Sequence, residues 1–141
     1  MTSQTRTAMC SCGQLCIEVQ GDPLGVGVCH CLACQRRTGS AFALLATFAA
    51  PYMVSGAVAE YMRIGDQGAM FRFRFCPVCG TNLFHTEEGR SGSVSVAVGA
   101  FADPTFPEPE DSIYECRRHP WVGLPPGVRA HDKDPVGTTH G

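Results

Sequence analysis

Three tight cysteine motifs constrain this chain more than anything else in it. They read C-S-C at Cys10 and Cys12, C-H-C-L-A-C at Cys29, Cys31 and Cys34, and C-P-V-C-G at Cys76 and Cys79. Sulfurs this close along the backbone can be drawn to one point by a short turn, which is what a metal ion requires. Two cysteines, Cys16 and Cys116, stand outside the motifs.

The motifs hold two, three and two cysteines, seven in all. A structural zinc site is closed by four thiolates or imidazoles, whereas a catalytic site holds the metal with three protein ligands and leaves a position open. Seven therefore divides into four and three. The C-P-V-C-G turn is a zinc-knuckle signature whose glycine lets backbone N–H groups face the sulfurs. Cys10 and Cys12 can complete it if the amino-terminal strand comes against the strand before Cys76. Cys29, Cys31 and Cys34 are left as a tripod on one turn. A structural alternative stays open, with His30, His85, Cys16, Cys116 or His119 closing the tripod as a fourth ligand. A redox role for C-P-V-C is disfavoured because no βαβ context surrounds it.

Disulfides are not needed here, since 141 residues at 44% hydrophobic can bury the core of one domain. Thiols so abundant suit a reducing compartment, and residues 1–13 contain no apolar core of signal-peptide length. A cytoplasmic location is expected. No apolar run approaches the ~20 residues of a membrane helix, and a net charge of −2 supplies no basic field for a nucleic-acid backbone. Neither membrane nor nucleic acid is an expected partner, and a homo-oligomer is left open.

Apolar residues recur at strand-like intervals between scattered glycines and prolines, so the fold class is all-β, mainly β, with at most one short helix. Leu15, Ile17 and Val19 alternate with polar residues as a half-buried strand. Residues 24–29 form a second candidate. Residues 41–48 suit a strand buried on both faces, with residues 59–64 as its expected partner. Phe71, Phe73 and Phe75 alternate with Arg72 and Arg74, giving a core face and an arginine face. Val94, Val96 and Val98 mark a later strand, and residues 112–116 one more. The helix is expected at residues 31–38, closed by Gly39. Residues 1–8 read as a flexible N-terminus, 9–124 as the zinc-binding domain and 125–141 as a loose tail.

Taken in order, C-x-C-G at Cys10, C-H-C-x-x-C-x-x-x-x-G at Cys29, F-C-x-x-C-G-T-x-L-F at Phe75, V-x-V-G-x-F-x-D-P at Val96 and H-P-W at His119 resemble the glutathione-dependent formaldehyde-activating enzyme family, which includes the centromere protein V proteins. The resemblance implies a β-tent of antiparallel sheets. It implies a structural zinc at Cys10, Cys12, Cys76 and Cys79 and a catalytic zinc at Cys29, Cys31 and Cys34, two Zn2+ per chain. The implied activity is condensation of formaldehyde with glutathione, a reversible carbon–sulfur lyase reaction. The alternative from another class is a non-catalytic zinc-stabilised module with a binding or chaperone-like role.

Zinc held by three thiolates suits a fourth thiolate, a water or a carbonyl oxygen in its open position. The expected partners are thus a small thiol such as glutathione and an aldehyde. Glutathione carries two carboxylates, and Arg36 and Arg37, directly after the tripod, are the first candidates to bind them. Gly39, Ser40 and Phe42 are placed to shape one pocket wall and Phe101 or Trp121 another, with core packing the alternative for each aromatic.

Overall fold

A computed structural model of the protein describes residues 4–134. The elements in chain order are β1 (Thr5–Met9), β2 (Cys16–Gln20), β3 (Gly25–Cys29), α1 (Leu32–Thr38), β4 (Ala43–Ala49), β5 (Met53–Ser55), β6 (Ala59–Ile64), β7 (Met70–Phe75), β8 (Asn82–Glu87), β9 (Ser93–Ala97), β10 (Asp111–Ile113) and β11 (Arg129–Ala130). Two 3-10 turns, Val98–Phe101 and Glu115–Arg117, complete the list. The fold is mainly β with a single α-helix among the described residues.

The strands form two open sheets. A three-stranded sheet runs β1-β2-β5, and an eight-stranded sheet runs β11-β10-β3-β4-β9-β8-β7-β6. The small sheet presents Ala8, Ile17 and Val19, with Leu15 just before β2, to Val26, Ala46, Phe48, Val94 and Val96 of the large one. Each side chain withdrawn from water at this seam contributes about 1.5–3 kcal/mol for a Val, Leu, Ile or Phe. The opposite face of the large sheet carries a second cluster of Cys29, Cys31, Cys34, Ala43, Leu45 and Ile113. Period-two alternation explains the division: Val26 faces one layer and Cys29 the other, while Ala46 and Phe48 oppose Ala43 and Leu45.

Local sequence explains α1 and its ends. Cys31 caps it, its Sγ accepting the Cys34 N–H at 3.2 Å, and Gly39 closes it in the left-handed region with φ 67°.

Three expectations are corrected. Residues 59–64 pair with β7 over their whole length and not with β4, whose neighbours are β3 and β9. The tight turn through Gly65 and Gly68 joins β6 directly to β7, and adjacent strands on a short connection pair with each other. The flexible N-terminus does not extend to residue 8, because β1 pairs with β2 from Thr5↔Gln20 to Met9↔Cys16. Its only fully buried side chain is Ala8, too weak an apolar signal to announce a strand. The expected tail contains β11, which pairs in parallel with β10; the last part of that tail, residues 135–141, lies outside the described residues.

Candidate metal centres

The first cluster gathers two turns from different sheets. Cys10 and Cys12 lie on the turn after β1, and Cys76 and Cys79 on the turn after β7; β1 itself pairs with β2, so only the turns meet. All four sulfurs fall within 4.8 Å of one another. Cys10 Sγ is 3.6 Å from Cys12 Sγ, and Cys12 Sγ is 3.8 Å from Cys76 Sγ. A tetrahedral zinc with Zn–S bonds of about 2.3 Å sets its sulfurs about 3.8 Å apart, so the geometry fits such an ion.

Each turn closes through a left-handed glycine: Gly13 at φ 82° donates to the Cys10 carbonyl and Gly80 at φ 80° to the Cys76 carbonyl. The turns aim donors at sulfur. The Leu15 N–H reaches Cys10 Sγ at 3.3 Å, the Val78 and Cys79 N–H groups reach Cys76 Sγ at 3.4 Å, and Gln14 Nε2 donates to Cys76 Sγ at 3.0 Å. Hydrogen bonds from the Thr81 side chain and backbone draw Cys79 down to about 5. The Gln14 N–H lowers Cys12 as well, but burial and the crowding of Cys10 and Cys76 outweigh it and push Cys12 up to about 11. Four sulfurs in this space become thiolates together only around a cation.

The second cluster is local. Cys29 ends β3, Cys31 caps α1 and Cys34 lies in its first turn; Cys29 and Cys34 are fully buried and Cys31 is 9% exposed. Their sulfurs also lie within 4.8 Å of one another. Contacts with Cys31 and Cys34, then burial, drive Cys29 upward. Hydrogen bonds from Cys29 and Cys31 draw Cys34 down to about 2 against burial, with Arg37 adding to the pull. Three sulfurs this close become thiolates together only around a cation.

No fourth His, Cys, Asp or Glu ligand atom joins the trio among the described residues. Each side chain expected as a closer is engaged elsewhere. His30 Nε2 meets Ser112 Oγ at 2.9 Å, and His85 packs between the Phe71 and Phe73 rings. Cys16 donates to the Gly13 carbonyl, Cys116 to the Asp132 carbonyl, and His119 Nε2 meets Gln35 Oε1 at 2.9 Å.

A cavity of about 640 Å³ opens against the trio at Cys31. Its cationic lining is Arg63, Arg90, Arg117 and Lys133, and its acids are Asp66, Glu87 and Asp134. Tyr114 packs on the cysteine trio, lines the cavity and donates its hydroxyl to Asp66, so the β6–β7 turn is tied to the end of β10. Burial first, then Glu87 and Asp66, push Asp134 up to about 7.

Neither Arg36 nor Arg37 lines this cavity. Arg36 is exposed, whereas Arg37 turns toward Cys34, Asn82 and Phe73. The supposed wall residues lie elsewhere too: Phe42 stands against His30, Phe101 stacks between Phe48 and Phe106, and Trp121 is 73% exposed. The lining cations come from four distant segments with no shared motif, so nothing local in the sequence marks them.

Residues 5–117 match the family described as glutathione-dependent formaldehyde-activating enzyme. The chain belongs to this family. It is also similar to a crystal structure of a Rhodobacter sphaeroides protein, with 27% identity and a TM-score of 0.51 over 67% of this chain and 85% of that one. No curated protein matches the sequence significantly. All seven motif cysteines, Arg37 and Tyr114 fall inside the matched span, while Lys133 and Asp134 lie beyond it. Membership supports a formaldehyde-activating or related glutathione-linked function, and the two sulfur clusters could hold metal ions, consistent with zinc. No helix among the described residues is long and apolar enough to cross a membrane.

Proposed function

We propose that the protein is a zinc-dependent carbon–sulfur lyase that joins a small thiol to an aldehyde and reverses that reaction, with glutathione and formaldehyde as its reference substrates. The observation that carries this reading is the buried trio of Cys29, Cys31 and Cys34, with no fourth ligand among the described residues, against a charged cavity. The all-sulfur donor sets suit a thiophilic ion, and we assign one structural zinc to Cys10, Cys12, Cys76 and Cys79 and one catalytic zinc to the trio. When bound there, zinc would supply a Lewis-acid position that favours the thiolate form of an incoming thiol.

The chain's own residues do the rest. Glutathione brings two carboxylates and one ammonium; in this reading Arg63, Arg90 and Arg117 take the carboxylates in place of Arg36 and Arg37, and Asp66 or Glu87 takes the ammonium. In the forward reaction the sulfur lone pair forms the S–C bond and the carbonyl π pair moves onto oxygen. That oxygen takes one proton as the thiol proton leaves, so the product is a hydroxymethyl thioether. Asp134, a cavity carboxyl that titrates near neutrality, is suited to exchange that proton. A cytoplasmic site of action is part of the proposal, since the mechanism needs reduced thiols.

The test is bound zinc per chain for the wild type, Cys29→Ser and Cys76→Ser, read with and without glutathione. Two ions, one lost selectively with Cys29→Ser and perturbed by glutathione, support the lyase. A single ion, or two that ignore glutathione, would favour the non-catalytic binding module. Turnover is read against the spontaneous reaction of the same thiol and aldehyde.

A further inference from the structure

Arg37 follows Cys34 by three residues on α1, so the two share a helix face. Its half-buried guanidinium meets three groups. Nη2 donates toward Cys34 Sγ at 3.7 Å, Nη1 donates to Asn82 Oδ1 at 3.2 Å, and the guanidinium carbon lies 4.5 Å from the Phe73 ring centroid. Asn82 opens β8 and Phe73 lies on β7, so three elements fix one side chain.

Withdrawing a guanidinium from water is costly unless a counter-charge stands beside it. Other arginines of the protein have carboxylates: Arg72 and Arg74 share Glu60, Arg129 meets Asp111, and Arg118 meets Glu115. Arg37 pairs with no carboxylate among the described residues, and its Nε is buried without a hydrogen-bond partner there. Among the described residues, the only group of anionic character it touches is the Cys34 sulfur. Three thiolates around a divalent ion carry one surplus negative charge, which a single guanidinium cancels.

We propose that Arg37 is a positioning residue of the three-cysteine site: held by Asn82 and Phe73, its guanidinium donates to Cys34 Sγ and offsets the surplus charge of a metal–trithiolate group. This rests on the reading that the trio holds a metal ion. An N–H···S bond withdraws charge from sulfur, strengthens the metal's pull on a fourth ligand and favours metal over proton at Cys34. Asn82 follows Cys79 by three residues, so one segment carries a ligand candidate of the first cluster and the anchor for Arg37 of the second.

The experiment loads the full chain with Co2+ or Zn2+ and follows release of each ion to a chelator, together with the cobalt thiolate charge-transfer bands; Cys29→Ser identifies the signal of the trio. Arg37→Met keeps an apolar stem over Phe73 and removes the charge. It should weaken the ion at the trio about 10–100-fold, shift the cobalt bands of that site and leave the other ion unchanged. Arg37→Lys should recover much of the loss. Asn82→Ala, which spares Arg37 itself, should weaken the same ion in the same direction and carries the test if Arg37→Met does not fold. Affinity and cobalt bands like wild type in Arg37→Met, with a raised KM for glutathione, would overturn the proposal and make Arg37 a substrate clamp. A wild type that binds one ion, kept in Cys29→Ser and lost in Cys76→Ser, would remove the metal from the trio and overturn the parent reading with it.

Discussion

Cys16 and Cys34 carry the same side chain in unlike settings. Cys16 lies on the outer face of β2 and donates to the backbone carbonyl of Gly13, while Cys34 accepts hydrogen bonds from Cys29 and Cys31 and from Arg37. A thiol that donates is already satisfied as a thiol; one that gathers donors is prepared to be a thiolate. Cys116 belongs with Cys16, since its Sγ donates to the Asp132 carbonyl at 3.3 Å. Metal counting on native protein should therefore find Cys16→Ser and Cys116→Ser equal to wild type, with unfolding free energies changed by less than about 0.5 kcal/mol. Cys34→Ser should lose one ion. An ion lost with Cys116→Ser would make that residue the fourth ligand and close the site. Cys34 could be read from its spacing because the two cysteines it meets, Cys29 and Cys31, are five residues away or fewer. The partner that tunes it, Arg37, stood out only as an arginine, since Asn82 and Phe73 approach it from strands far along the chain.

Among the elements, those with a strong local pattern were legible and those defined by a partner were not. The Phe71–Phe73–Phe75 alternation, the Leu15–Ile17–Val19 face and the glycine-closed helix each carry their signal within a few residues, and each appears in the fold. β1 and β11 carry almost none. β11 is two exposed residues held by pairing with β10 and by Arg129, whose Nε and Nη2 donate to the Asp111 carboxylate at 2.8 and 2.9 Å. The Arg129 bonds hold Asp111 at about 2 against its ordinary 3.8, with burial opposing and His131 assisting. A carboxyl depressed by folding adds stability above its unfolded pKa, and that stability is lost as pH falls through the interval down to the folded value. Arg129 is 67% exposed, so screening limits the contribution to about 1 kcal/mol. Asp111→Asn should lower the unfolding free energy by about that much at pH 6, and denaturant titrations should show the gap narrowing from about pH 4 to 2. A gap constant from pH 6 to 3 would assign the effect to packing at β10 and not to the ion pair.

At the scale of the whole molecule, the first cysteine cluster joins a turn of the small sheet to a turn of the large one. An ion bound there would clamp the two layers that Ile17 and Phe48 pack together. Because an unfolded chain scatters those sulfurs, metal affinity becomes folding stability, with each tenfold in affinity worth about 1.4 kcal/mol at saturation. Chelation should lower the thermal midpoint, and hydrogen exchange should show the turns at Cys10 and Cys76 opening before β3, β4 and β9; unchanged exchange at those turns would mean that the apolar seam alone holds the layers. The cavity is the part of the molecule that the sequence hid, since its walls come from the start of α1, from β6, β7 and the turn between them, from Glu87 and Arg90, from residues 114–117 and from residues 133 and 134. A pocket assembled from such distant pieces has no period or motif to find, yet its charges specify what it takes. Arg63, Arg90 and Arg117 place three guanidinium forks on its walls, so a thiol with two carboxylates should be preferred over one with a single carboxylate or none. Loss of one charge-assisted hydrogen-bonded contact costs about 1.5–3 kcal/mol, or about 10–100-fold. Cysteamine should therefore act with kcat/KM at least tenfold below glutathione, and Arg117→Ala should lower kcat/KM for glutathione by a similar factor while leaving the value for cysteamine unchanged. Equal losses for both thiols would place Arg117 in the architecture of the cavity and leave the carboxylates to other residues.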